Sequence, residues 1–414
     1  PLVDLLVGPL ATAATCALLW VVARQLGFRA TTSLVVVGLY GLTTSAWVYS
    51  KTFFGQPAAT LFLLAATCLL LRGSHLSARS AALAGLSLGL AVGTRVDLLL
   101  LAAPLALPLL AQLRRDPGHG ARLLFAFALP FAATCLATVG LYNHLRYGAL
   151  LDTGYGREAL PAAYLDKPYI GLFGILFSSG FGWFVYNPIA LLGVFSLPLL
   201  ALRRRLEGHL FAALVALAVL FYGSFVVWYG GFTWASRYLV VVLPFAVLPV
   251  GALLERPWRS AMVTTMVAGT AALGVAVNLL AVLIDFNNGW QNLWYHNADL
   301  QKIQWDPHFS PIGAHVRLLR HFLYTGANLD LYIYFKLGLP SLLGFILLFA
   351  ALATLAVRSS LLSEAATAPH AEAPGRDRTG VEAEPWPGGK AYGSWQAGPP
   401  GEAPADDIWE QPVP

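Results

Sequence analysis

The chain has 414 residues, of which 57% are hydrophobic and 11% charged, and its mean hydropathy is +0.65. Soluble domains carry about 25% charged residues, so this chain lacks the polar surface to cover itself in water and reads as an integral membrane protein. The net charge of +5 does not point to nucleic acid, because the arginines sit in short connections between apolar runs, where they orient a membrane protein.

Eleven apolar runs follow one another along the chain, at about 5–22, 31–48, 53–71, 80–94, 97–112, 122–142, 186–202, 210–228, 238–255, 260–284 and 338–357, counted against the length that crosses a bilayer. The predicted fold is an all-α polytopic membrane protein with about eleven transmembrane helices. Two of the runs, 80–94 and 97–112, are short and flank GTRVD (Gly93 to Asp97); a hairpin and one broken helix both fit. The segment GLFGILFSSGFGW from Gly171 is apolar but short and rich in glycine, and reads as an interfacial or re-entrant piece.

If eleven spans alternate, one set of connections collects Arg24 and Arg29, Arg72 and Arg79, Arg114, Arg115 and Arg122, Arg203 to Arg205, Arg256, Arg259 and Arg358. The positive-inside bias makes that side the cytoplasm. The protein is then expected in the cytoplasmic membrane, with its C-terminus inside. The sequence opens at Pro1 directly on an apolar run, and at least one further span and outer loop are expected before it. Residues 1–357 form the membrane domain. Residues 358–414, rich in Pro, Gly, Ala and acidic residues, have no helical or strand period and are expected to be a disordered cytoplasmic tail.

The opposite face receives loops at about 143–185, 229–237 and 285–337, together with GTRVD and YSKTFF. Chemistry is sought there. In WYGGFTWASRYLVVVLP, from Trp228, Arg237 stands at the mouth of a span. A cation there is costly unless paired or wet, and snorkelling to the interface is its ordinary role. Here Gly230 and Gly231 allow close approach of backbone to a ligand, and the flanking rings, Trp228, Tyr229, Phe232, Trp234 and Tyr238, offer an apolar wall. Arginine also matches phosphate in bidentate geometry. Arg95 lies at the same level, with Asp97 two residues on and able to neutralise it. Lys51 in YSKTFF is a third outer cation. Three cations at three helix ends make an anion site if those ends converge, which only tertiary structure decides.

The loop YNHLRYGALLDTGYG carries His144, Arg146, Asp152 and Tyr155. Asn143, His144 and Arg146 follow straight from a span and read as its cap and anchor, while His144 with Asp152 is a weaker acid–base reading. The loop QWDPHFSPIGAHVRLLRHF holds Asp306, His308, Ser310, His315 and His321. WDP and SP look like turns, and from Ile312 apolar and basic residues alternate as on a helix lying along the interface. The His308 and His315 spacing is not that of a zinc helix, and no P-loop, dinucleotide or nucleophile-elbow pattern is present. Cys16, Cys68 and Cys135 lie inside apolar runs and read as packing residues.

Taken together, NHLRYGALLDTGY, SSGFGWFVYNP, WYGGFTWASRYLVVVLPF and WDPHFSPIGAH, in that order and on one face, resemble bacterial polyprenyl-phosphate-dependent glycosyltransferases of the C-type membrane fold. The protein O-mannosyltransferases and the lipid A aminoarabinose transferase are relatives of that family. YSKTFFGQPAATLFLL and GLAVGTRVDLLLLAAP resemble it too, and the likeness covers about 1–357. The resemblance implies transfer of a sugar, with inversion, from a polyprenyl-phosphate donor to an acceptor outside the cytoplasmic membrane. Basic residues would stabilise the leaving phosphate: Arg237, matching the family's GG…R…P segment, comes first, then Arg95, with Lys51 third. Trp228, Gly230, Gly231, Trp234, His144, Arg146, Tyr155, Asp306 and His308 would line the substrate cavity. The family's base, an Asp of the first outer loop, would precede Pro1; within the chain only Asp97 and Asp152 stand as weak candidates. No metal-ligand set is assigned, and the resemblance leaves a divalent metal open. Donor and membrane lipids are the implied partners, and the acceptor is not specified. The alternative is a transporter or flippase, which calls for internal repeats and polar residues near the midplane; no repeat is visible. A scaffold that keeps the fold without catalysis is a third reading.

Overall fold

The computed structural model describes residues 2–52, 54–72, 76–152, 167–255, 261–296 and 298–325. The eleventh apolar run, 338–357, the tail 358–414 and Tyr155 lie outside the described residues. Among those described there is no strand. The helices, in order, are α1 (Leu2–Gln25), α2 (Ala30–Thr43), α3 (Ser45–Ser50), α4 (Gln56–Leu70), α5 (Ala78–Thr94), α6 (Ala102–Leu105), α7 (Leu107–Arg115), α8 (Pro117–Cys135), α9 (Leu141–Tyr147), α10 (Pro168–Phe177), α11 (Trp183–Tyr186), α12 (Pro188–Arg203), α13 (Arg205–Gly223), α14 (Leu243–Leu254), α15 (Ala261–Leu283), α16 (Phe286–Tyr295), α17 (Leu300–Trp305) and α18 (Pro311–Thr325). Tighter 3-10 turns, Val96–Leu101 and Arg237–Val242, lead into α6 and α14.

Among the described residues six helical stretches are long and apolar enough to cross a membrane: Val7–Gln25, Val96–Arg115, Pro117–Tyr147, Arg205–Gly223, Arg237–Leu254 and Ala261–Leu283. The runs read at 31–48, 53–71, 80–94 and 186–202 fall on α2, α4, α5 and α12, of 14, 15, 17 and 16 residues, below the roughly 20 of an upright crossing. Local chemistry shortens them. Thr44 adopts an extended backbone and caps α3 by accepting from the Ala46 N–H, which divides the second run. Pro57 sits in the first turn of α4, where its missing N–H costs nothing. At GTRVD, α5 stops on an extended Arg95, and a 3-10 turn restarts the chain. The glycine-rich piece from Gly171 forms α10 and α11, of ten and four residues, so neither is long enough to cross.

Small residues bring the helices together, as expected where lipid supplies no hydrophobic driving force between them. Gly85, Gly89 and Gly93, four apart on one face of α5, meet the Phe127 carbonyl, Thr134 and Thr138; a Cβ on Gly85 would sit 2.1 Å from that carbonyl oxygen. A Cβ on Gly193 of α12 would fall 1.5 Å from the Ala246 oxygen of α14. The segment Arg237–Leu254 is the axis of the body, with 83% of it buried. At one end of this axis Glu255 accepts from the Arg29 backbone N–H (2.8 Å) and from its Nε (3.2 Å), and Arg203 Nη2 reaches the Glu255 carbonyl (3.4 Å). Arg29 and Arg203, two of the arginines assigned to one side, therefore meet here. Arg237 opens the other end, about 30 Å away by helical rise, a hydrocarbon thickness.

Candidate functional site

The site is built on the loop that joins α13 to the 3-10 turn at Arg237. Gly230 and Gly231 both have φ of +85°, and Ala235 has φ of +57°, a left-handed conformation that costs an alanine about 1 kcal/mol. A Cβ on Gly230 would lie 3.1 Å from Arg237 Cγ, so glycine is what lets the arginine stem fold back on the loop. Three other segments pin the loop. Tyr49 donates its hydroxyl to the Trp234 carbonyl (2.8 Å), the Ser236 N–H donates to the Phe181 carbonyl (3.0 Å), and Trp234 Nε1 donates to Asn278 Oδ1 (3.2 Å). Asn278 in turn donates to the carbonyls of Tyr186 and Gly274, both at 2.9 Å.

Held in this way, the Arg237 guanidinium packs over the rings of Phe54 and Tyr238, each 5.7 Å from its carbon. Its Nε is buried and has no hydrogen-bond partner. No carboxylate among the described residues forms an ion pair with it. Arg95 reaches the same Tyr238 ring at 5.4 Å, and lies 5.7 Å from Tyr222. The two tyrosines are stacked 4.7 Å apart and 5° from parallel. Arg95 is satisfied where Arg237 is not: Nε donates to Asp97 Oδ1 at 3.1 Å, and Nη2 pairs with Oδ2. The Tyr222 hydroxyl also donates to Asp97 (2.8 Å). Two cations and one carboxylate thus meet around one aromatic stack, leaving a positive excess and one guanidinium edge without an acceptor.

Lys51, the third cation, is anchored on backbone. Its Nζ donates to the Val282 carbonyl at the end of α15 (3.0 Å). Trp228 and Trp234 are 3% and 1% exposed and act as packing wedges: Trp228 lies against Gly174 and, at 5.8 Å, Trp305, and Trp234 against Tyr186 and His315. Gly231 has open space around it. His144 and Arg146 are exposed on α9, where Arg146 covers Tyr142 and Tyr147 of its own turn. Asp152 is exposed beyond it, with its N–H on the Ala149 carbonyl. Asp306 caps a turn by accepting from the His308 N–H (2.9 Å), and His308 accepts on its carbonyl from Arg317 (2.6 Å). Among the described residues no group of three His, Cys, Asp or Glu is placed to hold a metal.

Sequence reasoning missed Tyr222, Tyr49 and Phe54, and counted Tyr238 only as one of the rings flanking Arg237, whereas Tyr238 is the ring that both arginines share. Tyr222 and Tyr238 border the same loop as Arg237, and that adjacency was the available signal. It also missed Asn278, an amide inside a 23-residue apolar helix, a placement that by itself marks a functional or structural hydrogen-bond centre. Compared with family models, curated proteins and solved structures, the chain matches none.

Proposed function

We propose that the aromatic end binds the phosphate of a polyprenyl-phosphate sugar and that the chain transfers this sugar to an acceptor. The body is then a C-type glycosyltransferase membrane domain of about eleven spans, in the cytoplasmic membrane with its arginine end inside. One observation carries the reading: Arg237 is a buried-edge guanidinium with rings for neighbours and no anion. A permanent cation at this depth calls for a counter-charge, and a phosphate oxygen meets its free Nε–H in the geometry arginine favours. Arg95, locked to Asp97 and Tyr222, supports the site electrostatically and keeps the Tyr238 ring in place.

In the reaction the acceptor hydroxyl attacks the anomeric carbon, the bond from that carbon to the phosphate oxygen breaks, and the lipid phosphate leaves with the electron pair. Arg237 stabilises the charge that grows on that oxygen. Asp97 is engaged by two donors and is not assigned as the base; the proton of the acceptor hydroxyl passes to the departing phosphate, which balances the step. The transport alternative needs a polar path through the bilayer. The buried amides Asn187 and Asn278 are both engaged in structural hydrogen bonds, which favours chemistry at one face.

The test is transfer from a defined polyprenyl-phosphate sugar by purified full-length chain and by Arg237→Ala. Loss of one such donor costs about 100-fold in rate. Normal turnover by the variant removes the assigned role.

A further inference from the structure

A second feature lies at the arginine end, away from the aromatic stack and independent of the reading above. A groove of about 430 Å³ runs between α2 and α15. The two helices run in the same direction: the start of α2 lies at Glu255, close before α15, and Thr43 at its far end packs on Gly274. Their sequences change polarity in step. Arg29, Thr31 and Thr264 line the groove at the arginine end, and Leu39, Val267 and Ala271 line it further in. Ten residues of helix separate Arg29 from Leu39, which is about 15 Å, the depth of one leaflet's hydrocarbon.

We propose that this groove holds an acyl chain of an anionic glycerophospholipid, with the lipid phosphate at Arg29. Charge complementarity selects the occupant. Arg29 and Arg203 bond to Glu255, Arg24 donates to the Phe28 carbonyl (2.7 Å), and Arg204 Nη2 lies beside Gly27. Only Arg29 touches the Glu255 carboxylate; Arg203 reaches the Glu255 backbone carbonyl and Arg204 lies beside Gly27, so the guanidinium charge at this end exceeds what that carboxylate neutralises. Glu255 is largely covered, at 13% side-chain exposure, whereas the Arg29 side chain stays 66% exposed and free to take a second anion. A soluble anion would leave the apolar floor unused. A zwitterionic lipid would fill the floor but gain less from the surplus positive charge, because its own headgroup cation offsets its phosphate.

The probes are phosphatidylglycerol and phosphatidylcholine added to the full chain in detergent, with retained lipid counted by native mass spectrometry. Ala268→Phe places a ring in the groove from an exposed lining position, and Arg29→Gln removes the charge while keeping a polar partner for Glu255. Wild type should retain one phosphatidylglycerol in preference to phosphatidylcholine. Ala268→Phe should weaken retention by about tenfold. Arg29→Gln should still hold lipid but lose roughly fivefold of its preference for the anionic headgroup. Equal retention of the two lipids by wild type, or unchanged retention by Ala268→Phe, overturns the proposal. A photoreactive residue at position 268 gives an independent readout. Capture of the lipid supports the proposal, whereas crosslinking to residues 326–414 or to a second copy overturns it and names the true occupant.

Discussion

Arg95 and Arg237 share one tyrosine ring and differ in everything else. Arg95 has Asp97 and a tyrosine hydroxyl network; Arg237 has only rings and an orphan Nε–H. Replacing Arg237 by Lys retains charge but not the planar fork, so Arg237→Lys should recover no more than about a tenth of the rate lost by Arg237→Ala, because the bidentate contact is what the reading requires. Initial rates at saturating donor decide this. His315 gives a second prediction at this scale. Its ring is fully buried against Trp234 and over Gly289, with Nδ1 2.7 Å from the Pro311 carbonyl. Burial foremost pushes the imidazole down to about 4, with Lys51 adding to the effect and Asp285 opposing it. The ordinary value is about 6.5, so as pH falls the unfolded chain takes up the proton first. Stability is then complete above about pH 6.5 and falls toward pH 4, by up to about 3 kcal/mol from this group. The thermal midpoint measured between pH 7.5 and 4.5 should drop more steeply in wild type than in His315→Gln.

At the scale of elements, the α5–α8 contact is the clearest case of sequence dictating a helix pair. Glycines at 85, 89 and 93 make a flat stripe on which α8 lies. A Cβ on Gly89 would already come within 2.6 Å of Thr134, so Gly89→Leu has no low-cost rotamer and should destabilise the body by roughly 3 kcal/mol or more. Gly38 of α2, with nothing within 4 Å, should accept Ala at almost no cost. Detergent-solubilised yield and thermal midpoint separate the two. The long helices were legible from apolar runs alone; their lengths were not, and α16 and α17 fall within the stretch 285–337 that reads as an outer loop. Thr44 capping α3, the stop at Arg95 and the 3-10 turns before α6 and α14 are set by single side chains and tight packing, which a count of apolar residues does not register. Site residues divide the same way. Arg237 and Arg95 could be placed at one membrane level from sequence. Their meeting at Tyr238 could not, because it depends on three segments far apart in the chain. Lys51, Arg146, Asp306 and His308 carry suggestive chemistry by type, but Lys51 holds a carbonyl and the other three engage neighbours in their own loops.

For the molecule as a whole, the two ends have opposite constructions. The arginine end is charged and opens into a groove, whereas the aromatic end is closed by a hydrogen-bonded knot around Asn278. That amide joins α15 to Trp234 and Tyr186, with a longer link to Thr43 at 3.4 Å. Removing it leaves buried donors and acceptors without partners, at about 1–3 kcal/mol each. Asn278→Leu should therefore cost several kcal/mol and loosen the loop that carries Arg237. Hydrogen exchange along 228–237 should rise in that variant and stay unchanged in Arg237→Ala, which distinguishes a structural defect from a chemical one.

The knot also imposes an order on biogenesis. The α5–α8 pair lies within a short stretch of chain and can assemble as soon as both helices leave the translocation machinery. The clamp on Trp234 waits for Asn278, and the packing against its ring waits for His315. A nascent chain released before residue 278 would carry both arginines but no finished cradle between them, so the corner around Arg237 is completed only after α15 and α18 have been made.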